Sequence, residues 1–361
     1  MSVPKLFQPY EMRSVTARNR ICVAPMCQYS ATDGLGDDWH IQQLGAKAMG
    51  GAGIVMAEAT HVSAVGRITA QCLGAYNPAH QHLLSRLARI IAHGGAVPAI
   101  QIGHAGRKAS VRRPWDGGKP VPVTAGGWMP VGPSAIAFAE GYTTPVALST
   151  AEVQGIVEQF AASVRMSRIA GFKLLELHAA HGYLLHSFLS PLSNTRNDQY
   201  GGDLKGRARV LMEIVEAARA EWPEELPLWV RLSCTDWAAG GHTIVETIEI
   251  ARMLKASGHV DLIDCSSGGV ASQQHIPSIH PGYHVPFAEA IRREAGIATG
   301  AVGMITAAEQ AAEIVANERA DIVLVGRALL ADPAWPLHAA KKLGAPMPLV
   351  PQFLRASLSG A

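Results

Sequence analysis

The run His178-Ala179-Ala180-His181-Gly182-Tyr183 sets two imidazoles and a phenol close together in the chain. Imidazoles can donate hydrogen bonds to a carbonyl oxygen, and a phenol can deliver a proton, so this cluster suits the polarisation and protonation of an activated carbonyl compound. Two histidines at this spacing also occur in zinc sites, which leaves a metal-dependent hydrolase using His178 and His181 as a second reading. The polar residues at comparable positions are Gln101, Arg231 and Cys27 rather than carboxylates. A fixed cation such as Arg231 disfavours a nearby dication, so no metal is expected. Acyl transfer has no support: there is no G-x-S-x-G elbow, and Cys27 has no evident base and orienting carboxylate. Gly300-Ala301-Val302-Gly303-Met304 and Gly326-Arg327 each follow a short apolar run and precede a helical stretch. Glycines let backbone N–H groups approach an anion and Arg327 can add a charge-assisted contact, which makes these turns a phosphate site by position. Glycines that only permit tight turns are the plainer alternative.

Positioning such residues takes a scaffold that brings many strand ends to one face. Eight short apolar runs recur: Ile21–Pro25, Gly53–Ala59, Val97–Ile102, Lys173–His178, Leu228–Leu232, Asp261–Cys265, Ile297–Val302 and Asp321–Val325. They alternate with helical stretches at His40–Met49, Ala79–His93, Ala151–Ala170, Gly206–Glu221, Ile244–Ala256, Pro286–Glu294, Ala307–Ala316 and Pro333–Lys342. This alternation predicts an α/β fold, a (β/α)8 TIM barrel, over an open doubly wound sheet, because no G-x-G-x-x-G follows the first run. In a barrel the residues just after each strand collect at one face, and those are the polar residues named above. A plain barrel takes about 250 residues, so roughly 110 are left over. The obvious reservoir for that surplus is the Pro- and Gly-rich stretch 104–150, read as a lid after the third strand of a single domain 1–361, with 343–361 as a C-terminal tail.

The 361 residues carry 31 Lys and Arg against 29 Asp and Glu, a formal charge of +2 that points to neither nucleic acid nor an acidic membrane. Prolines 120, 122, 130 and 133 make the uncharged stretch 120–139 a loop rather than a membrane span. The N-terminus lacks a sustained apolar region, and the five cysteines are scattered singly, which fits reduced thiols in the cytoplasm.

Several segments together resemble the old yellow enzymes, the FMN-dependent ene reductases, over nearly the whole chain. They are Ala24-Pro25-Met26-Cys27-Gln28-Tyr29, Glu58-Ala59-Thr60, Gln101-Ile102-Gly103-His104-Ala105-Gly106-Arg107-Lys108, His178 to Leu184, Ser193-Asn194-Thr195-Arg196-Asn197-Asp198-Gln199-Tyr200-Gly201-Gly202 and Val325-Gly326-Arg327. Cys27 followed by Tyr29, the paired histidines and the short tail resemble the bacterial subgroup typified by YqjM and xenobiotic reductase A.

The resemblance implies bound FMN, with NADPH or NADH as hydride donor and small-molecule activated alkenes as substrates, in ping-pong turnover. It implies that Ala24, Pro25, Met26, Cys27, Ala59, Gln101 and Arg231 line the isoalloxazine, and that Gly303, Met304, Gly326 and Arg327 hold the phosphate. His178 and His181 would bind the substrate carbonyl oxygen, Tyr183 would protonate the α-carbon, Cys27 would tune the flavin and Tyr29 would be a further substrate contact. Arg355 would reach a neighbouring subunit's site in a homodimer or homotetramer, a solvated tail arginine being the alternative. Arg196 and Asp198 are expected to pair and brace their loop. The basic run Arg107, Lys108, Arg112 and Arg113 is read as a solvated run that could meet the 2′-phosphate of NADPH. A non-catalytic flavin-binding protein is a third reading of the whole.

Overall fold

The short apolar runs are rich in Val, Ile and Leu, so they can be buried on both faces, as a parallel sheet wrapped by helices requires. In the computed structural model, which describes residues 3–346 and 348–357, they form β1 (Ile21–Val23), β2 (Ile54–His61), β3 (Val97–Gly103), β4 (Leu174–Ala179), β5 (Leu228–Ser233), β6 (Leu262–Ser266), β7 (Ala298–Ala301) and β8 (Ile322–Val325). Each strand pairs in parallel with the next, and Val323 of β8 aligns with Ile21 of β1 to close an eight-stranded barrel. The predicted (β/α)8 architecture is the one observed.

The outer helices are α1 (Asp38–Met49), α2 (His80–His93), α3 (Thr150–Ala170), α4 (Leu184–Leu189), α5 (Leu204–Glu221), α6 (Ile244–Ala256), α7 (Val285–Ala295), α8 (Ala308–Ala316), α9 (Arg327–Ala331) and α10 (Trp335–Lys342). Local chemistry sets several of their ends. Ser149 with Glu152 and Thr243 with Glu246 make reciprocal capping boxes at α3 and α6, and left-handed Gly171 and Gly296 end α3 and α7. Phe160, Phe172, Leu211, Ile214 and Val323 belong to the core between strands and helices. A separate cluster of Ile54, Met56, Val97, Leu174, Trp229, Leu262 and Leu324 fills the barrel interior. It is joined by Met12 and Ala17 of an N-terminal hairpin, Tyr10–Met12 with Val15–Ala17, which plugs the barrel end opposite the strand C-termini.

Stretch 104–150 is the irregular connection from β3 to α3. It holds three short 3-10 turns and a pair of two-residue strands, Val131–Gly132 and Val146–Ala147. The loop after α4 fastens it. Arg196 Nε donates to Asp198 Oδ1 at 2.9 Å, while Arg196 Nη1 donates to the carbonyls of Pro133 and Leu148. The expected Arg196–Asp198 pair is present, and it braces the lid as well as its own loop.

Beyond the 3-10 turns and the two-residue strands of the lid, the plug hairpin, α4 and α9 have no counterpart among the elements expected from the sequence. Among the described residues no helix is long and apolar enough to cross a membrane.

Candidate active site

The loop after β4 turns sharply because two successive residues are left-handed, His181 at φ +60° and Gly182 at φ +73°. A Cβ on Gly182 would lie 2.1 Å from the Gly269 carbonyl oxygen, so glycine is required there. This turn points His178, His181 and Tyr183 at one another. The two imidazole centroids are 5.0 Å apart, and the Tyr183 ring stands edge-on to His178 at 5.1 Å and to His181 at 6.4 Å.

Both imidazoles are neutral. Burial and the nearby cations Arg231 and Lys108 hold their pKa values well below the ordinary range. The same cations oppose a dication at this pair, which weighs against the metal-hydrolase reading. His178 Nδ1 accepts from the Ala180 N–H at 3.2 Å, which leaves Nε2–H as a donor. His181 Nε2 is 2.7 Å from Ser266 Oγ, and Ser233 Oγ accepts the His181 N–H at 2.9 Å. Burial, then the neighbouring Cys27, push the Tyr183 phenol well above its usual pKa, so it remains protonated across the working range.

Lys108 sits beside this group. Its Nζ donates to the carbonyls of His181 and Gly269, both at 2.8 Å, and lies 5.2 Å from the Tyr183 ring centroid. Burial and the adjacent Arg107 bring it down to about 8. Arg107 is buried too and donates to the carbonyls of Ile136, Ala137 and Val270. The expected solvated basic run is corrected accordingly: Arg107 and Lys108 are committed inside the lid, Arg113 pairs with Asp116 at 2.6 Å, and Arg112 is exposed.

Cys27, Tyr29 and Tyr183 pack on one apolar cluster built from Ile68, Cys72, Ala105 and Ala109. Hydrogen bonding to Cys72, then burial, keep Cys27 in its thiol form. Glu58 organises the loop after β1: its Oε2 accepts the Gln28 N–H at 2.9 Å, and its Oε1 lies 3.3 Å from His40 Nε2.

A cavity of about 500 Å³ opens at the C-terminal ends of β1, β5, β7 and β8. It brings together Ala24, Pro25, Met26, Arg231, Gly303, Met304, Gly326 and Arg327, eight of the residues expected to hold a flavin. Gln101 and Ala59 are buried on β3 and β2, and Cys27 is on the tyrosine side. Arg355 stands apart, exposed on the tail segment Pro351–Ser357.

Residues 5–345 match the model of the NADH:flavin oxidoreductase / NADH oxidase family. The chain belongs to that family. It is an FMN-dependent NAD(P)H oxidoreductase of the old yellow enzyme type. The chain is 43% identical over 354 residues to the NADPH dehydrogenase of Listeria monocytogenes serovar 1/2a, covering 98% of this chain and 99% of that one. It is 44% identical over 352 residues to the NADPH dehydrogenase of Geobacillus sp. strain WCH70, covering 97% and 98%. Among solved structures, morphinone reductase superposes with a TM-score of 0.78 at 26% identity, covering 96% of this chain and 91% of that one. A 2-naphthoyl-CoA reductase superposes with a TM-score of 0.85 at 29% identity and covers 95% of this chain, which spans 52% of that longer chain.

The cavity suits the family's FMN on three counts. Its volume lies within the usual range for cofactor pockets, about 300–1,000 Å³. Arg231, 6% exposed, brings a fixed cation to its wall. At Gly303, φ +116°, a Cβ would stand 3.1 Å from His284 Nδ1, so the backbone there stays bare for an anion. Gln101 commits Nε2 to Glu176 and thereby leaves its carbonyl oxygen for a ligand. The sequence assigned no site role to Ser266, Cys72, Glu58 or Glu176, although Glu58 stood within a quoted motif, and Lys108 was read only as part of the basic run.

Proposed function

We propose that this oxidoreductase reduces the C=C bond of α,β-unsaturated carbonyl compounds, with Tyr183 as the proton donor. The observation that carries this reading is the convergence of two neutral imidazoles and a protonated phenol on one wall of the β4 turn. Bound FMN supplies the hydride acceptor and donor, charged by NADPH or NADH. Ala24, Pro25, Met26, Cys27, Ala59, Gln101 and Arg231 would line its ring system, and Gly303, Met304, Gly326 and Arg327 its phosphate.

His178, through Nε2–H, and His181 hold the substrate carbonyl oxygen and draw electron density from the alkene, which makes the β-carbon electrophilic. Tyr183 O–H then protonates the α-carbon. Tyr29, edge-to-face with Trp115 at 5.8 Å, closes the substrate side. Cys27 tunes the flavin as a thiol and forms no covalent intermediate. Because nicotinamide and alkene use the same wall in turn, turnover is ping-pong.

Arg355 acts in a neighbouring subunit's site of a homodimer or homotetramer, a reading supported by its exposed place on the tail. Sedimentation and Arg355→Ala kinetics test it together: a monomer with unchanged KM overturns it. The five free cysteines fit a cytoplasmic setting.

The deciding experiment is anaerobic. NADPH should bleach the flavin bands of the purified protein, and cyclohex-2-enone should restore them while yielding cyclohexanone. Bleaching without recovery on any conjugated enone, aldehyde or maleimide would refute alkene reduction.

A further inference from the structure

The interior faces of four consecutive strands, β3 to β6, carry Gln101, Glu176, Arg231 and Asp264. Strand register sets Gln101 beside Glu176 and Arg231 beside Asp264. Glu176 and Asp264 are fully buried, Gln101 is 1% exposed, and Arg231 lines the flavin cavity above them.

Gln101 Nε2 donates to Glu176 Oε1 at 2.7 Å, and Arg231 Nε lies 3.1 Å from Asp264 Oδ2. The two carboxyl groups face each other within hydrogen-bond range. Glu176 Oε2 and both Asp264 oxygens have no N–H or O–H donor, the Arg231 Nε contact being an ion pair without hydrogen-bond alignment. The other titratable neighbours of the two acids are the thiols of Cys22 on β1 and Cys265 on β6, and Arg231 also faces His178, His181 and His284, whose imidazoles burial and that cation hold below the ordinary range, and the Tyr283 phenol; none of these brings positive charge.

One cation therefore faces two acids in a buried interior. Two carboxylates in contact do not both ionise there, and a hydrogen bond between them needs a proton. Arg231 touches Asp264 and so keeps the charge on it, while Glu176 has only a neutral amide for company. Burial and then Asp264 drive the Glu176 acid well above the ordinary carboxyl range, and burial raises Asp264 while Arg231 opposes that rise.

We propose that Glu176 is a neutral carboxylic acid in the working enzyme, a positioning residue that donates its proton to a hydrogen bond with Asp264 and orients the Gln101 amide toward the flavin. The inference rests on the family's use of FMN. Its consequence is electrostatic: Arg231 and Asp264 are the only formal charges of this group, and no second anion opposes the negative charge that the flavin gains on reduction.

Glu176→Gln separates this from an ordinary buried glutamate. A glutamine presents an N–H to Asp264 and an oxygen to Gln101, so it reproduces a neutral acid. The midpoint potential of the FMN-loaded variant should stay within a twofold change in relative affinity for the two flavin redox states, about 9 mV for a two-electron couple. Asp264→Asn, which uncovers the Arg231 charge, should favour reduced flavin at least tenfold, about 30 mV upward. Glu176→Leu should raise the FMN Kd more than tenfold by freeing Gln101.

A Glu176→Gln potential that rises by more than twofold in that ratio overturns the proposal. Infrared spectra of the native holoenzyme carrying 13C-glutamate give a second test that needs no folded variant at this position. They should show the carbonyl stretch of a protonated glutamic acid up to pH 8, still present in Glu58→Gln, where the only other buried glutamate among the described residues is removed. Absence of that band also overturns it. A folded protein that takes up no FMN would instead strike at the family reading itself.

Discussion

Lys108 makes a quantitative case for how the lid tunes the proton donor. Its ammonium lies 5.2 Å from the Tyr183 ring centroid, where it stabilises negative charge building on the phenol as the proton leaves. At an effective dielectric constant near 20, a unit charge at that distance contributes about 3 kcal/mol. If roughly half of that charge has developed in the transition state, Lys108→Met should slow the alkene half-reaction by about 1.5 kcal/mol, on the order of tenfold. The pH dependence has a definite sign. Burial and Arg107 bring Lys108 down to about 8, so its charge is present below that pH and lost above it. The native alkene half-reaction should therefore fall about fivefold from about pH 7 to about pH 9, approaching the full tenfold as the titration completes on either side. Tyr183 itself, held well above 10, does not titrate in that window. Stopped-flow reoxidation of NADPH-reduced enzyme by cyclohexenone measures the rate at each pH. Lys108→Met should sit at the slow level with no inflection, and Lys108→Arg, which keeps its charge, at the fast level with none. Reduction by NADPH uses no phenolic proton and is the internal control. Fast, pH-dependent reoxidation in Lys108→Met would show that the lysine only ties down the carbonyls of His181 and Gly269.

Three other perturbations bear on the same site. Tyr183→Phe keeps the ring contacts with both imidazoles while removing the acid. The alkene half-reaction should fall about 10²–10⁴-fold with NADPH reduction spared, and equal losses in both would contradict the role. Ser266→Ala removes the 2.7 Å partner of His181 Nε2, worth about 1 kcal/mol, and should weaken enone affinity about fivefold; an unaltered enone Kd by flavin difference spectra would count against His181 as an oriented ligand. Gly182→Ala drives a Cβ to within 2.1 Å of the Gly269 oxygen on a left-handed residue, which costs about 1–2 kcal/mol before the clash is relieved. The thermal midpoint should drop, and an unshifted Tm would mean the turn relaxes freely.

The barrel was legible because each strand is a two-face buried run bounded by turn residues, and each long helix carries its own start or stop. Ser149 and Glu152 announce α3, and Gly171 ends it. The short elements lacked such marks. The plug hairpin has only three residues per strand, and what fixes it is burial of Met12 and Ala17 in the barrel interior, a tertiary fact. Helix α4 starts directly after Tyr183 and all six of its residues are buried, so it has no polar face to give a helical period.

At the site, the residue types capable of chemistry were readable, whereas the groups that set their charge and direction were not. His178, His181 and Tyr183 lie in one motif, but Ser266 reaches His181 from β6, and a serine at the end of an apolar run has no signature of its own. Arg107 and Lys108 read as part of one basic run with Arg112, since sequence proximity carries no record of the carbonyls that draw the first two inward. Backbone conformation was equally hidden. Tyr29, His181 and Met304 are non-glycine residues at φ +50°, +60° and +52°, each in a loop that follows a barrel strand. Nothing in a tyrosine, histidine or methionine encodes that conformation; the surrounding loops impose it, and imposed backbone of this kind gathers where side chains must be aimed. The aim of this site is thus a property of the eight-stranded frame as a whole, while its chemistry is a property of a few residue types, and only the second is written locally in the chain.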